Sequence, residues 1–550
     1  LAGYKDDYYG NDKLYASMNV AGLAHVVAVS GMHVAFLVGV LQSLLGKNRR
    51  SSLICICLVW LFAVMVGSPL SAIRAGIMIS LLMLAPVLGR INDRATTLSF
   101  ALALILVTNP FSAGSVALQL SFGAVAGMFL FSQPIYAYFS KKLSPPRIFR
   151  AVWNYIIATL SSSLAVTVFT FPLLAVHFGY ITLLAPVMNI LCLWAISFLF
   201  VGGFAVCAVG LVLPTPASWL AAVLSCLVRY IAFVVEYAAK LPITALYMEN
   251  KYAPAWLLTS YALFIAYFLL RRKKKISVFA PSALCLAMLC GVFAMTGRDM
   301  RSDTGTISVM NVGNGQCIAV TEGESVVVID CGSYGVTQNA GSMLSSYLRA
   351  GGRYDIDYLM LTHLHSDHTT GVVRLLNLMN VNTVILPDNA EDTNGDDVLD
   401  DIIAACEDNG TKIVYITRDT EFTAGAIRLS VYESSERGSR DESGIMSTVS
   451  IGDYDMLVTG DVEKVVEREL VSSHDLSGTE LLIVPHHGSK YSTSDELLSE
   501  LRPETAVIST GYNRYGHPTK ETLDKLNEYG VNVLRTDELG RIVLHVASGD

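Results

Sequence analysis

The chain has 550 residues, of which 52% are hydrophobic and only 16% are charged, and its mean hydropathy is +0.47. A soluble protein carries roughly 25% charged residues, so this composition excludes a wholly soluble protein and requires a lipid bilayer. Residues 1–300 hold 21 basic and 7 acidic residues, a net charge of +14, whereas the remainder holds 18 basic and 40 acidic residues, a net charge of −22. Two different kinds of domain are therefore joined in one chain.

Ten apolar stretches predict helices that cross the membrane, because each approaches the roughly 20 residues that a helix needs to span the hydrocarbon. They are 20–45, 52–68, 71–89, 95–109, 116–136, 152–175, 180–212, 217–239, 254–270 and 276–296. The stretch 180–212 fits either one long tilted helix or a helix followed by a re-entrant segment. We predict a polytopic membrane domain over residues 20–298. Residues 1–19 are expected to be the remnant of a further segment, since the chain opens on Leu1 without a methionine or a signal peptide.

Basic clusters predict the orientation of these spans, because Lys and Arg concentrate in cytoplasmic loops. The clusters lie at 47–50, 90–94, 141–150 and 271–275. If all four are cytoplasmic, an even number of spans must separate each from the next, which holds only if 180–212 crosses once. The last span then leads outward, so the sequence predicts that the C-terminal part is extracytoplasmic.

Residues 299–550 are typical of a soluble α/β domain. Short apolar strands alternate with amphipathic helices from about residue 305 onward. Many strands with helices spaced among them predict a two-layered sandwich of sheets with helices on its outer faces.

A cluster of metal-ligand residue types follows directly on the apolar strand 357–361. His363, His365, Asp367 and His368 supply four candidate ligands within six residues. Imidazole and carboxylate groups in such a turn are typical of a divalent metal site. His363 and His365 can converge on one ion while Asp367 and His368 face a second. A purely structural turn would not need three histidines beside a carboxylate.

Two later strand ends add further candidate ligands. Asp461 follows the apolar strand 457–459 and is placed to bridge two ions. His486 and His487 follow the strand 481–484. Each feature alone is also compatible with an ordinary turn, but three ligand-bearing strand ends in one domain predict a metal centre.

These motifs resemble the metallo-β-lactamase superfamily, whose signature is HxHxDH followed by a bridging carboxylate and a later His. The resemblance implies an αβ/βα sandwich holding one or two divalent ions, Zn or Mn. It assigns the ligands to His363, His365, Asp367, His368, Asp461 and one of His486 and His487, and we favour His486 because it is nearer the strand end. Many members carry another His before the bridging carboxylate, but residues 369–460 contain none, so the first metal site is expected to be short of a ligand.

The chemistry that follows is metal-dependent hydrolysis. A bound divalent ion lowers the pKa of water from about 15.7 to about 7, and an ion pair clamps the attacking and leaving oxygens. Asp367 is expected to orient the attacking water as well as bind, and His517 is a candidate to protonate the leaving group. Candidates to contact the substrate, or equally to fix the turns around it, are His487, Ser489, Ser509 and Asn513.

Polar residues inside the predicted spans point to a pore or cavity between the helices, because burying them in a bilayer is costly. They are His25, Ser30, His33, Arg74 and Gln119. Each one singly also fits a role in helix packing.

In this order the membrane and hydrolase segments resemble the ComEC-type competence family, through motifs that include Gly22–His33, Pro485–Ser489 and Tyr512–Pro518. The resemblance implies a channel that passes single-stranded DNA across the cytoplasmic membrane, with an external nuclease domain that hydrolyses the other strand. It also implies an OB-like domain ahead of residue 1, other competence proteins, a separate ATPase and a possible homo-oligomer. The family's opening DVGQGD-like strand is NVGNGQ here, at 311–316, with amides in place of both carboxylates.

Two alternatives stay open at the level of the sequence. One is a membrane-anchored hydrolase without a transport role, acting on a small phosphodiester or ester. The other is a channel whose hydrolase domain is catalytically degenerate and only binds DNA. The hydrolase domain's negative charge opposes tight binding to a polyanion through its surface, whereas the positive membrane domain favours it.

Overall fold

The computed structural model describes residues 12–27, 31–46, 48–67, 70–89, 93–142, 147–270, 278–301, 304–336, 338–388, 398–433 and 444–547. The chain divides into two compact units, Leu1–Met248 and Glu249–Asp550. The domain boundary predicted between residues 298 and 299 stays a prediction.

The first unit is built from apolar helices, whose backbone groups are satisfied within each helix, as a bilayer requires. The helices are α1 (Asp12–Val20), α2 (Ala24–Val27), α3 (Gly31–Leu45), α4 (Arg49–Met65), α5 (Leu70–Val87), α6 (Arg94–Thr108), α7 (Val116–Lys142), α8 (Arg150–Phe178), α9 (Ala185–Gly210) and α10 (Pro214–Ala239). Short 3-10 turns lie at Pro110–Gly114 and Arg147–Phe149, and two short strands, β1 (Tyr180–Thr182) and β2 (Ala245–Tyr247), pair antiparallel.

Nine of the ten predicted spans each contain one long helix, whereas 20–45 contains two separate helices, α2 and α3, among its described residues, and the number of spans stays a prediction. Within the described residues, six helices are long and apolar enough to cross a membrane, namely α7 to α10 and two that open the second unit, Ala253–Leu270 and Phe279–Met300. Three shorter apolar helices, Gly31–Leu45, Ser71–Ala85 and Ala95–Thr108, accompany them. The stretch 180–212 contains one continuous helix, α9, after strand β1. The chain is a multi-pass membrane protein, and the side on which its C-terminal domain lies stays a prediction.

The second unit begins with α11 (Ala253–Leu270) and α12 (Phe279–Met300) and continues as an α/β domain. Its strands are β3 (Thr304–Val309), β4 (Cys317–Glu322), β5 (Ser325–Cys331), β6 (Asp355–Met360), β7 (Asn380–Pro387), β8 (Lys412–Ile416), β9 (Thr420–Ala424), β10 (Ile427–Tyr432), β11 (Met446–Ile451), β12 (Tyr454–Val458), β13 (Leu481–Ile483), β14 (Thr505–Ile508), β15 (Asn532–Arg535) and β16 (Ile542–Ala547). Its other helices are α13 (Ala340–Ala350), α14 (Ser366–Thr369), α15 (Val372–Leu378), α16 (Val398–Asn409), α17 (Lys464–Ser473), α18 (Asp495–Leu501), α19 (Lys520–Glu528) and α20 (Thr536–Leu539), with a 3-10 turn at Pro485–Gly488.

The strands form two sheets of seven strands each among the described residues. One has the order β16-β3-β4-β5-β6-β7-β8 and the other β15-β14-β13-β12-β11-β10-β9. The inner faces pack together through residues such as Ile307, Val320, Ile385, Val449 and Ile483. Helices α13, α15 and α16 cover the outer face of the first sheet, and α17, α18 and α19 contribute to the core on the outer face of the second. The predicted αβ/βα sandwich is confirmed.

The positions of the central strands in the two sheets explain why the sequences of these strands are almost continuously apolar. Strands β5 to β8 pair parallel in one sheet, and β12 to β15 pair parallel in the other. Parallel strands covered on both faces bury side chains on both sides, as in β5 and β13, and the antiparallel strand β11 is buried along its whole length as well. The loops that follow such strands meet at the carboxyl edge of a sheet, where open α/β folds place their ligands.

Candidate metal centre

The HxHxDH turn begins immediately after strand β6. The backbone N–H and the hydroxyl of Thr362 both donate to the carboxylate of Asp330, which fixes the start of the turn. The rings of His363 and His365 then lie 4.6 Å apart, and those of His363 and His368 lie 4.1 Å apart, measured between centroids. The turn therefore gathers three imidazoles at the sheet edge, as the spacing predicts.

The candidate ligand atoms fall into two groups, each lying within 4.8 Å of one another. One group contains Asp367, His368, Asp461 and His487, and the other contains His363, His365 and Asp461. Asp461 belongs to both, because Gly460, with φ of 61°, turns its carboxylate between them just beyond strand β12. Each group could hold a metal ion, and the Asp461 carboxylate is common to both.

The donor atoms fit divalent metal ions. His363 Nε2, His368 Nε2, His487 Nε2 and Asp461 Oδ1 are buried and make no hydrogen bond within the described protein. Buried polar atoms without partners are rare in native proteins, so three such imidazole nitrogens converging on the Asp461 carboxylate indicate a cation-binding site. Imidazole nitrogen and carboxylate oxygen are ligands that Zn²⁺ accepts.

Asp330 is a functional residue that sequence reasoning missed. It lies in strand β5 with φ of 55°, is completely buried, and accepts a 2.8 Å hydrogen bond from His368 Nδ1. A carboxylate on one ring nitrogen fixes the tautomer and leaves Nε2 free to bind a metal. Its signal in the sequence is one Asp at the end of the apolar run 326–329.

The NVGNGQ segment places two buried amides, Asn314 and Gln316, just ahead of strand β4. Gln316 is buried, and its Nε2 donates to Asp330 Oδ2 at 2.9 Å. Asn314 is also buried, and its backbone N–H donates to the carbonyl of Tyr334. The Gln316 amide thus supports the carboxylate behind His368 without adding a second buried negative charge.

Electrostatics within the centre favour cation binding. Burial, assisted by His368, lowers the pKa of the His363 imidazole to about 3, which keeps that ring neutral. Burial opposes charge on His368, but Asp461 and Asp330 outweigh it and raise the pKa of His368 above its usual value. For Asp461, burial is outweighed by His368 and His487, which hold its pKa well below the usual range. Asp461 and Asp330 thus favour a positive charge at the centre, and a bound cation would supply it.

The structure corrects the preference for His486 over His487. Both residues lie in the 3-10 turn after strand β13 and adopt left-handed φ angles, 51° and 53°. His487 Nδ1 lies 2.8 Å from the carbonyl of Ser509, and its Nε2 lies 3.5 Å from Asp367 Oδ2. This conformation turns the second histidine inward, so His487 joins the ligand group and is not a peripheral substrate contact.

His486 lies at the rim of the first group. Its Nε2 is 3.9 Å from Asp461 Oδ2, the oxygen that also lies 3.9 Å from His363 Nε2. It belongs to neither ligand group. The first group therefore holds three residues, in agreement with the missing histidine in 369–460, and His486 is the histidine placed to approach it.

Three candidates for substrate contact, Ser489, Ser509 and Asn513, make contacts within the loops. Ser489 and Ser509 are buried, and the Ser509 hydroxyl donates to the carbonyl of Gly315. Asn513 exchanges two hydrogen bonds with the backbone of His517, accepting from its N–H and donating to its carbonyl. These contacts support the second of the two roles left open by the sequence, the fixing of the turns, and substrate contact by Ser489, Ser509 and Asn513 stays a prediction.

His517 lies at the rim beside His486, with ring centroids 5.6 Å apart. Burial, with the positive fields of His486 and His487, lowers the pKa of His517. Its position beside both the ligands and the surface is compatible with the predicted role in proton delivery, which stays a prediction.

In the membrane unit, the predicted polar residues form two separate sets. His33 is buried with its ring 5.1 Å from that of Phe200, and Arg74 is 6% exposed with no hydrogen-bond partner for its Nε among the described residues. They lie on helices α3 and α5, which pack together in one apolar core.

The remaining predicted pore residues of the first predicted span are His25 and Ser30. His25 is exposed, with Nδ1 3.1 Å from the carbonyl of Gly22. Ser30 lies outside the described residues.

The second set joins helices α7 and α8. Gln119 Nε2 donates to the carbonyl of Ala113, and Gln119 Oε1 lies 2.9 Å from Nε2 of His177. His177 was missed, since a single histidine near the end of a long apolar helix carries no spacing pattern. The role of both sets in a pore stays a prediction.

Comparison with known proteins agrees with this two-part organisation. Residues 6–275 match the family model described as Competence protein, and residues 310–430 match that of the metallo-beta-lactamase superfamily. ComE operon protein 3 of Bacillus subtilis (strain 168) is 26% identical over 98% of this chain and 70% of its own length. Competence protein ComA of Neisseria gonorrhoeae is 24% identical over 98% of this chain and 72% of its own length.

Among solved structures, the metallo-beta-lactamase SMB-1 in complex with mercaptoacetic acid is 15% identical, covers 33% of this chain and 81% of that chain, and has a TM-score of 0.24. The Competence match and the metallo-beta-lactamase match lie in one chain, one after the other. The C-terminal part of this chain has the sandwich fold and the two ligand groups that share Asp461. This chain therefore joins a membrane domain that matches the Competence family to a C-terminal domain that matches the metallo-beta-lactamase superfamily.

Proposed function

We propose that this protein takes up DNA, with the membrane domain passing one strand through the bilayer and the metal-dependent domain hydrolysing phosphodiester bonds of the other. The observation that carries the hydrolytic part is the shared carboxylate of Asp461 between two groups of buried ligand atoms. The transport part is supported by the Competence-family match over residues 6–275, and by relatives named for competence.

The chemistry of the centre suits a phosphodiester. A divalent ion held by these residues would offset the charge of the phosphate and lower the pKa of water from about 15.7 to about 7. Asp367 is ionised, because burial, which would raise its pKa, is outweighed by the nearby His487 and His368, which lower it to about 2. As an anion with part of its side chain at the surface, Asp367 can accept a hydrogen bond from the attacking water and orient it.

His517 is the residue that we assign to the leaving oxygen. Its lowered pKa makes the protonated ring a stronger acid, although a smaller fraction is protonated at neutral pH. Asn513 holds the backbone of His517 in place on both sides, which positions the ring beside His486. Proton delivery and metal binding are thereby assigned to different histidines.

The membrane domain offers a route for a polyanion. The positive charge of residues 1–300 opposes the passage of cations and favours phosphates. Arg74 is the most informative residue, because it is a buried cation on an apolar helix whose Nε has no hydrogen-bond partner among the described residues. A buried charge of this kind is costly unless a ligand uses it, and the phosphates of a passing strand would provide the partner.

One observation favours a second candidate, a channel whose hydrolase domain binds DNA without cleaving it. The first ligand group holds only His363, His365 and Asp461. If that group stays empty, the second group alone would have to support catalysis. The two candidates differ in whether the purified chain cleaves DNA when metal is supplied.

The experiment separates the two activities in one set of variants. The full chain in lipid nanodiscs is incubated with plasmid DNA and Mn²⁺ or Zn²⁺, and cells carrying the same variants are tested for uptake of labelled DNA. We expect Asp367→Asn to abolish cleavage, and Arg74→Met to abolish uptake while leaving cleavage intact. Wild-type protein that binds metal but does not cleave would favour the non-cleaving candidate, and Arg74→Met cells with normal uptake would refute the transport route.

A further inference from the structure

Three tyrosines stand out on the surface of the hydrolase domain. Tyr512 is 90% exposed, Tyr515 is 71% exposed and Tyr334 is 54% exposed. Tyrosine usually buries most of its ring, so three rings this open on neighbouring loops indicate a surface kept free for a partner. Tyr512 and Tyr515 lie on the loop between β14 and α19, and Tyr334 lies on the loop after β5.

The two loops are held against each other. A side chain on Gly335, next to Tyr334, would lie 3.4 Å from the backbone carbonyl of Tyr512. A side chain on Gly511 would lie 2.6 Å from Gly313, which leaves room only for hydrogen at that crossing. The backbone of Tyr334 accepts a hydrogen bond from the N–H of Asn314 and donates one to the carbonyl of Val312. The rings of Tyr334, Tyr512 and Tyr515 therefore project from two loops that are packed together, and we call this surface the ridge.

The ridge leads into the metal centre through a short series of rings. The Tyr515 ring lies 6.0 Å from that of His517 and is tilted only 32° from it. The His517 ring lies 5.6 Å from that of His486, whose Nε2 is 3.9 Å from the bridging Asp461. A chain of nucleotides lying on the ridge would thus deliver a phosphodiester bond to the ligand groups.

Charge decides which part of a nucleic acid this ridge can recognise. The chain beyond residue 300 carries a net charge of −22, which disfavours affinity derived from phosphate contacts. Arg514 is the basic residue between the two exposed tyrosines of the loop, with Lys520 just beyond it. Stacking of bases on aromatic rings does not depend on surface charge, but it requires bases that are not stacked within a duplex.

We propose that Tyr334, Tyr512 and Tyr515 form a stacking surface for unpaired nucleobases at the mouth of the metal centre. This inference rests on the proposed function and specifies the form of its substrate: the domain binds a single-stranded segment or a frayed end, with bases on the tyrosines and the backbone directed toward Asp461. An intact duplex hides its bases and meets a domain of negative net charge, so it binds weakly until its end opens.

The test measures binding without cleavage. The full chain in nanodiscs with Mn²⁺ is titrated with a fluorescent phosphorothioate dT12 and with the matching 12-base-pair duplex. We expect the single strand to bind more tightly, and the Tyr512→Ala/Tyr515→Ala pair to weaken it about 10- to 100-fold, as loss of base stacking does. The Tyr512→Phe/Tyr515→Phe pair keeps both rings and should stay within about 2-fold of wild type.

A matched control is Tyr529→Ala, which removes an exposed tyrosine at the far end of helix α19 and should leave dT12 binding unchanged. The proposal is overturned if the Ala pair binds dT12 like wild type, if the Phe pair is as weak as the Ala pair, or if wild type binds neither probe. It is also overturned if the Ala pair changes only the oligomeric state, since the tyrosines would then contact a second copy of the chain.

Cleavage of unmodified dT12 distinguishes this inference from the proposed function. Cleavage with an unchanged KM in the Ala pair would leave the nuclease in place and refute the stacking surface. Binding that is lost in the Ala pair and kept in the Phe pair, without cleavage by wild type, would support the stacking surface and refute hydrolysis.

Discussion

Replacing Asp330 by Asn perturbs the metal centre without touching a metal ligand. One carboxylate oxygen accepts from Gln316 Nε2, Thr362 Oγ1 and His368 Nδ1, and the other accepts from Thr362 N–H at 2.8 Å. An amide must turn its NH₂ toward one of these sets. The better orientation faces the Thr362 N–H, and it leaves that buried donor unpaired at a cost of about 1–3 kcal/mol.

The same substitution weakens the support of His368. A neutral amide oxygen no longer stabilises the His368 Nδ1–H as a carboxylate does, and loss of such a partner lowers metal affinity by about 10- to 100-fold. Competition of the purified full chain against a metal-binding dye measures this affinity. Asp388→Asn, at an exposed position, serves as the control. Affinity for metal in Asp330→Asn within about 2-fold of wild type would refute the role assigned to Asp330.

Three further predictions use other contacts of the structure. His487→Ala should lower metal affinity more than His486→Ala, because only His487 belongs to a ligand group; equal losses in dye competition would contradict this. Gly332→Ala should lower the thermal unfolding midpoint of the domain and its metal content, since the added Cβ would lie 2.0 Å from the Asp367 carbonyl; a variant with wild-type melting and metal content would refute it. Glu467→Ala should lower the free energy of unfolding, because the Glu467 carboxylate accepts hydrogen bonds from the buried backbone N–H groups of Thr493 and Ser494. Each N–H that loses its acceptor costs about 1–3 kcal/mol. An unchanged unfolding midpoint would contradict this prediction.

Those parts of the site that are local in sequence could be predicted. His363 to His368 follow an apolar strand at ligand spacing, and the strand itself determines where the turn begins. Asp461 is equally accessible to prediction, as a carboxylate following an apolar strand and a glycine. The sandwich fold follows from alternating apolar strands and amphipathic helices, because buried parallel strands demand cover on both faces.

The remaining parts depend on conformations and contacts that one sequence does not display. His486 and His487 are adjacent and chemically identical, and only their left-handed backbone angles decide which of them turns inward. Asp330 is 38 residues from the His368 that it supports, and the fold brings them together. In the membrane unit, the pairing of Gln119 with His177 likewise arises from the packing of two long helices with uniformly apolar sequence.

The central claim is a metal centre bridged by Asp461 that cleaves DNA, and metal content measured together with cleavage tests it most directly. Wild-type full chain and Asp461→Asn are loaded with Mn²⁺ or Zn²⁺, the bound ions are counted by elemental analysis, and the same samples are assayed on plasmid DNA. We predict two ions per wild-type chain, at most one in Asp461→Asn, and loss of cleavage in the same variant. A variant that keeps both its metal content and its cleavage would contradict the account.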